Sequence, residues 1–566
     1  MVALLLGQDA NWDLRNYHLY NGYALLHGRL ALDLAPAQMQ SYFSPVLDVF
    51  HYLLMVHLPA PVAGFVLGTL HGLAFLPVAG IAMLALQGQP QQARLAPLLA
   101  MAGLCASSFL SEFGSSMADN TTALFVLGSL CFVLRAQQRQ QQMNCSALGI
   151  WMLAGALLGI AVAFKLTNAV YAVALGLAAL CAGGPARRRL LGTAVLTLSA
   201  LALTAVLAGW WYLQMWQHFG NPLFPQFNAF FQGALAAPVS VGDTRWLPHG
   251  AWEQLTWPVQ FTAQPLRISE KKLVQYIWPL LYLSTLALIA LRMRGASASS
   301  VFVPAMRVVL VFFGMGYALW QGMFSIHRYL VVLELLAPLL LWYFCRQLLP
   351  MSRAAKWGGW AIGLCTLASL LGWNTWGHER WAREGFTVTA PPMPEPERSI
   401  VLLVGGEPQA WRVPLLPAQA RYVGVATNFP ESEGYGAHLA VMLDERDRRY
   451  AMINAPSDRS TQRFERLNDW VERLQLSRGR GCERLRWLAR RIKGLRSEVE
   501  EDDGRCRLVP RLDESSNVDD LYRQERDAAS KHLARYGLKL DKSSCVTLSS
   551  YIGRKNYPYQ WCRVRR

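Results

Sequence analysis

Long apolar runs separated by short polar breaks fill the chain up to Trp373. A membrane span needs about 20 apolar residues. Runs of that length, or somewhat shorter, cover Ala60–Leu86, Leu95–Leu110, Thr121–Leu134, Leu148–Phe164, Thr167–Cys181, Leu190–Tyr212, Leu273–Leu291, Val301–Trp320, Tyr329–Phe344 and Trp357–Trp373. Beyond Trp373 the pattern changes. "RSIVLLVGG" and "RYVGVAT" read as short buried strands bounded by Gly, and "RSTQRFERLNDWVERLQL" as an amphipathic helix. "SCVTLSSYIG" and "YQWCRV" read as late strands. The expected fold class is an α-helical polytopic membrane domain of about 10–11 transmembrane helices, followed by an extracytoplasmic α/β domain. The expected bounds are 1–59 for a first outer loop, 60–373 for the transmembrane domain and 374–566 for the soluble domain.

Charge gives the helices a direction. Arg94; Arg135 and Arg139; Arg187, Arg188 and Arg189; Arg292, Arg294 and Arg307; and Arg346, Arg353 and Lys356 fall in alternate loops. Short loops rich in Lys and Arg stay on the cytoplasmic side. The intervening loops, the N-terminal segment and the domain after Trp373 are therefore expected outside the cell's inner (cytoplasmic) membrane.

That sidedness places residues 8–59 outside. "MVALLLG" makes only about 10 Å of helix at 1.5 Å per residue, too short to span. It also lacks the basic n-region and full h-region of a signal peptide. An N-out chain would satisfy this; the preferred expectation is a first helix that begins upstream of Met1. "DLRNYHLYNGYALLHG" then reads as an interfacial amphipathic helix with Asp13 or Asn11 as N-cap and its tyrosines at headgroup depth. A second short helix is expected around Val46–His57.

Composition agrees with a membrane protein. Of 566 residues, 53% are hydrophobic and 16% charged, against roughly 25% charged in soluble domains. The net charge of +17 does not indicate nucleic acid. Part of it is the loop pattern above, the rest decorates an outer domain beside anionic headgroups, and no nucleic-acid fold signature is present. "VLLVGGEPQAW" has one Gly turn and neither a GxGxxG nor a Walker pattern, which excludes nucleotide binding. Cys105, Cys131, Cys145, Cys181, Cys345 and Cys365 lie in or beside apolar runs. Cys482, Cys506, Cys545 and Cys562 lie in the outer domain, where an even number implies disulfides. Cys482–Cys506 and Cys545–Cys562 are the expected pairs, because shorter loops cost less to close. No CxxC or Cys/His spacing points to zinc.

The remaining polar residues gather at the outer face. Asp9 and Asp13 lie in the first loop, Glu112 and Asp119 in "SEFGSSMADN", Lys165 in "FKLTNAVYA", and His327 and Arg328 in "FSIHRYLVVLELL". Ionisable groups at such positions are functional candidates. A phosphate leaving group needs no general acid, a hydroxyl nucleophile needs a base, and cations stabilise the developing phosphate charge. One carboxylate is then sufficient, in contrast to the pair that glycoside hydrolases use.

"DLRNYHLYNGYALLHGR", with an Asp followed four residues later by Tyr, together with "ADNTTALF", "KLTNAVYA" and "HRYLVVLELL", resembles the GT-C superfamily of integral membrane glycosyltransferases. Members carry a span just before that Asp, and this chain departs from the pattern there. The resemblance implies a GT-C-like membrane domain that moves a sugar from a polyprenyl-phosphate donor to a glycan, lipid or protein acceptor, with inversion. It implies Asp13 as general base, with Asp9 as rival, and Asp119 as the second catalytic carboxylate, orienting the acceptor or holding a divalent cation. The alternative for Asp13 and Asp119 is helix capping. Lys165 and Arg328 would meet the lipid phosphate or else snorkel to headgroups. His327 is a helix-end polar residue or a ligand. Tyr17 and Tyr20 are anchors or sugar platforms. Trp246, Trp252 and Trp257 are groove or aromatic belt, and Glu334 is a buried group expected to pair with a nearby base. A transporter or flippase of lipid-linked sugars, which would place ionisable groups at the midplane, and a ligase or polymerase of O-antigen type are the alternative functions.

Overall fold

The computed structural model describes residues 1–141, 147–294, 304–455, 474–492, 497–502, 504–510 and 518–566, with residues 464, 467, 468 and 470–472. Cys145 and half of the helix expected over 459–476 lie outside the described residues. The chain divides into two compact units. One comprises Met1–Leu30 and Met39–Gly385, the other Ala31–Gln38 and Phe386–Arg566.

In the first unit every expected apolar run contains helix: Ala60–Gly72 with Phe75–Ala85, Gln92–Leu104, Ala118–Gln141, Ala147–Phe164, Ala169–Leu180, Ala186–Thr204, Ile277–Met293, Pro304–Met323, Val331–Leu348 and Met351–Gly372. Among the described residues five helices are long and apolar enough to cross a membrane: Ala60–Ala85, Ala147–Phe164, Ala186–Phe219, Pro304–Met323 and His327–Leu348. The last of these is the centre of the bundle. Every side chain from Val331 to Phe344 is buried, as expected for a helix apolar on all sides. Small residues let neighbouring helices approach. Gly155 and Gly159 are four apart on one face of Ala147–Phe164, and a Cβ on either would collide with the carbonyl oxygen of Leu196 or Ala200 on the facing helix.

The N-terminal part of this unit is anchored by backbone pairing. Gln8–Asp9 lies antiparallel to His378–Glu379. A π-helical turn, Leu14–His18, runs into the α-helix Leu19–Leu26. The segment is helical as the sequence predicts, but it is packed inside the unit along most of its length. Leu14, Asn16 and all residues from His18 to Tyr23 are buried. The reason is its partner, the helix Val46–His57. Gly22 sits against the Asp48 carbonyl and the Tyr52 Cβ, where a side chain would not fit. Tyr20 is accordingly a core residue and not a headgroup anchor.

The second unit is α/β. Its main sheet runs Arg421–Val425, Ser399–Val404, Arg448–Asn454, Tyr559–Arg565, Lys539–Leu548 in spatial order. Ser399–Val404 is parallel to both of its neighbours, and Tyr559–Arg565 is antiparallel to both of its own. Ser399–Val404 is buried throughout, which accounts for its unbroken apolar sequence. Residues 31–38 belong here: Leu34 bridges Val423 in parallel, and Asp33 Oδ1 accepts from Tyr422 N at 2.9 Å. Cys482–Cys506 and Cys545–Cys562 are both disulfides.

Candidate functional site

Antiparallel helices of the first unit bring distant polar residues to one end. Asp119 is in the first turn of Ala118–Gln141, and Lys165 immediately follows Ala147–Phe164. Arg328 precedes Val331–Leu348. Lys165 Nζ donates to Asp119 Oδ1 at 2.5 Å, and Arg328 Nη1 donates to Asp13 Oδ2 at 2.5 Å. One ring lies against both cations. Tyr329 has Lys165 Nζ 4.6 Å and the Arg328 guanidinium 5.3 Å from its centroid, within cation–π range. The Tyr171 hydroxyl donates to the Tyr329 carbonyl and holds that turn in place. Tyr329 was not legible as a site residue, because it reads as the first aromatic of an apolar run.

The cap of the first-loop helix is Asn11 and not Asp13. Asn11 Oδ1 accepts from Leu14 N at 2.8 Å, and the Asp13 side chain makes no capping bond. Asp13 is therefore available to Arg328. Burial raises its carboxyl, but Arg328 and His18 outweigh burial, with Lys165 adding to them, and Asp13 titrates below its ordinary 3.8. Tyr17, four residues on, shares its helical face. Burial, then the Asp13 charge, push its hydroxyl well above the ordinary 10.0. Its ring lies 4.1 Å from that of His18.

Asp9 has a different environment. Its Oδ1 accepts from Asn11 N and Nδ2 at 3.1 and 2.7 Å, and its Oδ2 from Ser116 N and Oγ at 2.6 and 2.7 Å. Both of its oxygens are therefore committed to bonds that tie the first loop together and to Ser116. His327 is likewise committed. Its Nε2 lies 2.8 Å from Glu334 Oε1, which also accepts from Trp278 Nε1 at 2.9 Å. Glu334 Oε2 accepts from Ser108 N and Oγ at 3.2 and 2.6 Å. Glu334 thus has the basic partner that its burial demands, and it fixes the turn that carries Arg328.

Glu112 is the polar group that sequence reasoning left without a role. It is fully buried, and neither carboxylate oxygen has a hydrogen-bond partner among the described residues. Burial, then the charge of Asp119, raise it well above its ordinary 4.5, with Lys165 and Arg328 opposing. The three tryptophans stand in separate environments. Trp257 is buried under Arg267 at 5.2 Å, Trp246 donates Nε1 to Asp243 Oδ2 at 2.7 Å, and Trp252 is 73% exposed. Among the described residues, His18, Asp48 and His51 are grouped closely enough to hold a metal ion.

No protein-family model and no curated relative matches the sequence. Three solved chains are similar in structure. ArnT from Cupriavidus metallidurans, in the apo state, superposes with a TM-score of 0.39 and 18% identity over 64% of this chain and 60% of that one. The same protein bound to undecaprenyl phosphate gives a TM-score of 0.37 and 17% identity over the same shares. This chain thus spans about 60% of the length of ArnT. The archaeal oligosaccharyltransferase AglB from Archaeoglobus fulgidus, in complex with an inhibitory peptide and a dolichol-phosphate, gives a TM-score of 0.43 and 12% identity over 80% of this chain and 66% of that one.

Proposed function

We propose that this protein is a GT-C-type glycosyltransferase of the cytoplasmic membrane. It moves a sugar from a polyprenyl-phosphate donor to an envelope glycan, lipid or protein, with inversion, and Asp13 is the base. The observation that carries this reading is the pair of ion pairs, Asp13–Arg328 and Asp119–Lys165, against the Tyr329 ring. Together they supply one base and two cations at one end of a helical bundle.

Chemistry follows from charge. In the donor, phosphate is a diester with one negative charge. When the bond from the anomeric carbon to phosphate oxygen breaks, the electron pair stays on phosphate, which gains a second charge. Cations held nearby stabilise that charge more in the transition state than in the ground state. The acceptor oxygen forms the new bond from the opposite face, and its proton passes to the Asp13 carboxylate. Arg328 couples the two events. While it is bonded to Asp13 it keeps that carboxylate weakly basic. Once Arg328 turns to phosphate, Asp13 loses its counter-ion in a buried place and becomes a stronger base. Asp119 keeps Lys165 positioned for the same phosphate.

The test is mass spectrometry of surface glycans from cells with and without the gene. A missing residue of defined mass supports the reading and identifies the sugar. Unchanged glycans, lipids and glycoproteins overturn it.

A further inference from the structure

His18, Asp48 and His51 converge from two helices in the interior of the first unit. Asp48 and His51 are three residues apart on Val46–His57 and share a face. His18 closes the π-helical turn that begins beside Asp13. All three are buried, at 3%, 3% and 0% exposure. One ligand atom from each lies within 4.8 Å of the others. His18 Nδ1 is 2.6 Å from Asp48 Oδ1, and the His18 and His51 rings meet edge-on at 5.4 Å.

The second observation is a set of unmet polar atoms. Among the described residues, His51 has no hydrogen-bond partner on either ring nitrogen, and His18 has none on Nε2. A neutral imidazole always carries one donor and one acceptor, so His51 buried in this way bears the full cost of desolvation. A core position with no polar task would carry a Leu or Phe instead. Two imidazoles and a carboxylate are the donor set of first-row divalent ions such as zinc, and leave at least one coordination position open. Calcium and magnesium prefer oxygen ligands only. Zn–N bonds are about 2.0–2.1 Å, so donors already within 4.8 Å need only small side-chain rotations to close on one ion.

We propose that His18, Asp48 and His51 bind one divalent first-row transition ion, with zinc as the representative. The ion fastens the turn that carries Asp13 to the helix Val46–His57. This inference is independent of the transferase reading, since it concerns binding and not turnover.

The test uses the full chain in detergent, stripped with a chelator and titrated with Co²⁺, then Zn²⁺. The expected result is one equivalent of Co²⁺ with visible d–d absorption, displaced by Zn²⁺, and a higher unfolding temperature with Zn²⁺. His51→Asn and Asp48→Asn should lose the absorption and the thermal shift, while metal-free His51→Asn unfolds at or above the wild-type temperature. A stripped wild type that binds no Co²⁺ or Zn²⁺ overturns the proposal, as do variants that bind as well as wild type. If the variants do not fold, zinc-edge X-ray absorption of the loaded wild type decides. Two imidazole ligands and a carboxylate support the site; sulfur or oxygen-only coordination overturns it.

Discussion

Arg328 Nη1 meets Asp13 Oδ2 at 2.5 Å, joining residues 315 apart in the chain. Their side chains are 19% and 11% exposed, so each neutralises a charge that would otherwise be expensive where it lies. In the proposed reaction the same contact switches the base on. Both roles can be separated by substitution.

Asp13→Asn keeps the shape and a hydrogen-bond acceptor for Arg328 but removes the base. Transfer should fall by about 10²–10⁴ in kcat, while donor binding persists, because Arg328 and Lys165 remain. Measuring donor binding and turnover on the same preparation checks this. Asp9→Asn should instead impair folding, since it weakens the four bonds to Asn11 and Ser116.

The acid limb of the pH–rate profile should move when Arg328 is removed. Asp13 is lowered from 3.8 in the folded protein. Its pairing stabilises the fold above that ordinary value, and the stability is lost as pH falls through the lower folded value. Wild type should therefore show no loss of ionised Asp13 until below about pH 4. In Arg328→Gln the strongest lowering partner is gone, and burial, the largest influence, raises the carboxyl against His18 and Lys165 alone. Residual activity should then decline at higher pH than in wild type. A profile with an unmoved acid limb would detach Asp13 from the rate.

Glu112 has the opposite sign. Its folded value is raised above 4.5, so its contribution to stability diminishes as pH rises from the ordinary value through the folded one. Glu112→Gln mimics the neutral acid and removes this penalty. Its melting temperature at neutral pH should equal or exceed wild type, and the advantage should vanish below about pH 4.5. Asp119→Asn, which breaks the pair with Lys165, should lower it at neutral pH.

Thiol counting tests the second unit. The ten cysteines less the four in Cys482–Cys506 and Cys545–Cys562 leave six. Six labelled thiols are expected under denaturing, non-reducing conditions and ten after reduction. Loss of either disulfide should cost about 2–4 kcal/mol of stability.

Legibility followed the range of the interaction. Apolar runs revealed helices because burial in a bundle acts on every residue of a run. The strand Ser399–Val404 was visible for the same reason. The strand Arg448–Asn454 was missed because two arginines open it and its partners are remote in sequence. Residues 31–38 gave no sign of the sheet they extend, since a single bridge has no period. The ionisable residues of the site were visible as exceptions in apolar surroundings. Their pairing was not, because a choice such as Asn11 over Asp13 as cap depends on where Arg328 stands. His18, Asp48 and His51 left only a faint mark: an Asp and a His three apart on one helix face.

Sugar transfer from a polyprenyl-phosphate donor is proposed to run through Asp13. The most direct measurement is mass spectrometry of membrane lipids and surface glycans from a deletion strain carrying either the wild-type gene or Asp13→Asn. The expected result is that Asp13→Asn, folded and present in the membrane, accumulates a polyprenyl-phosphate sugar and lacks the same sugar mass in its surface glycans, glycolipids or glycoproteins. Wild-type amounts of both in that strain would contradict the claim.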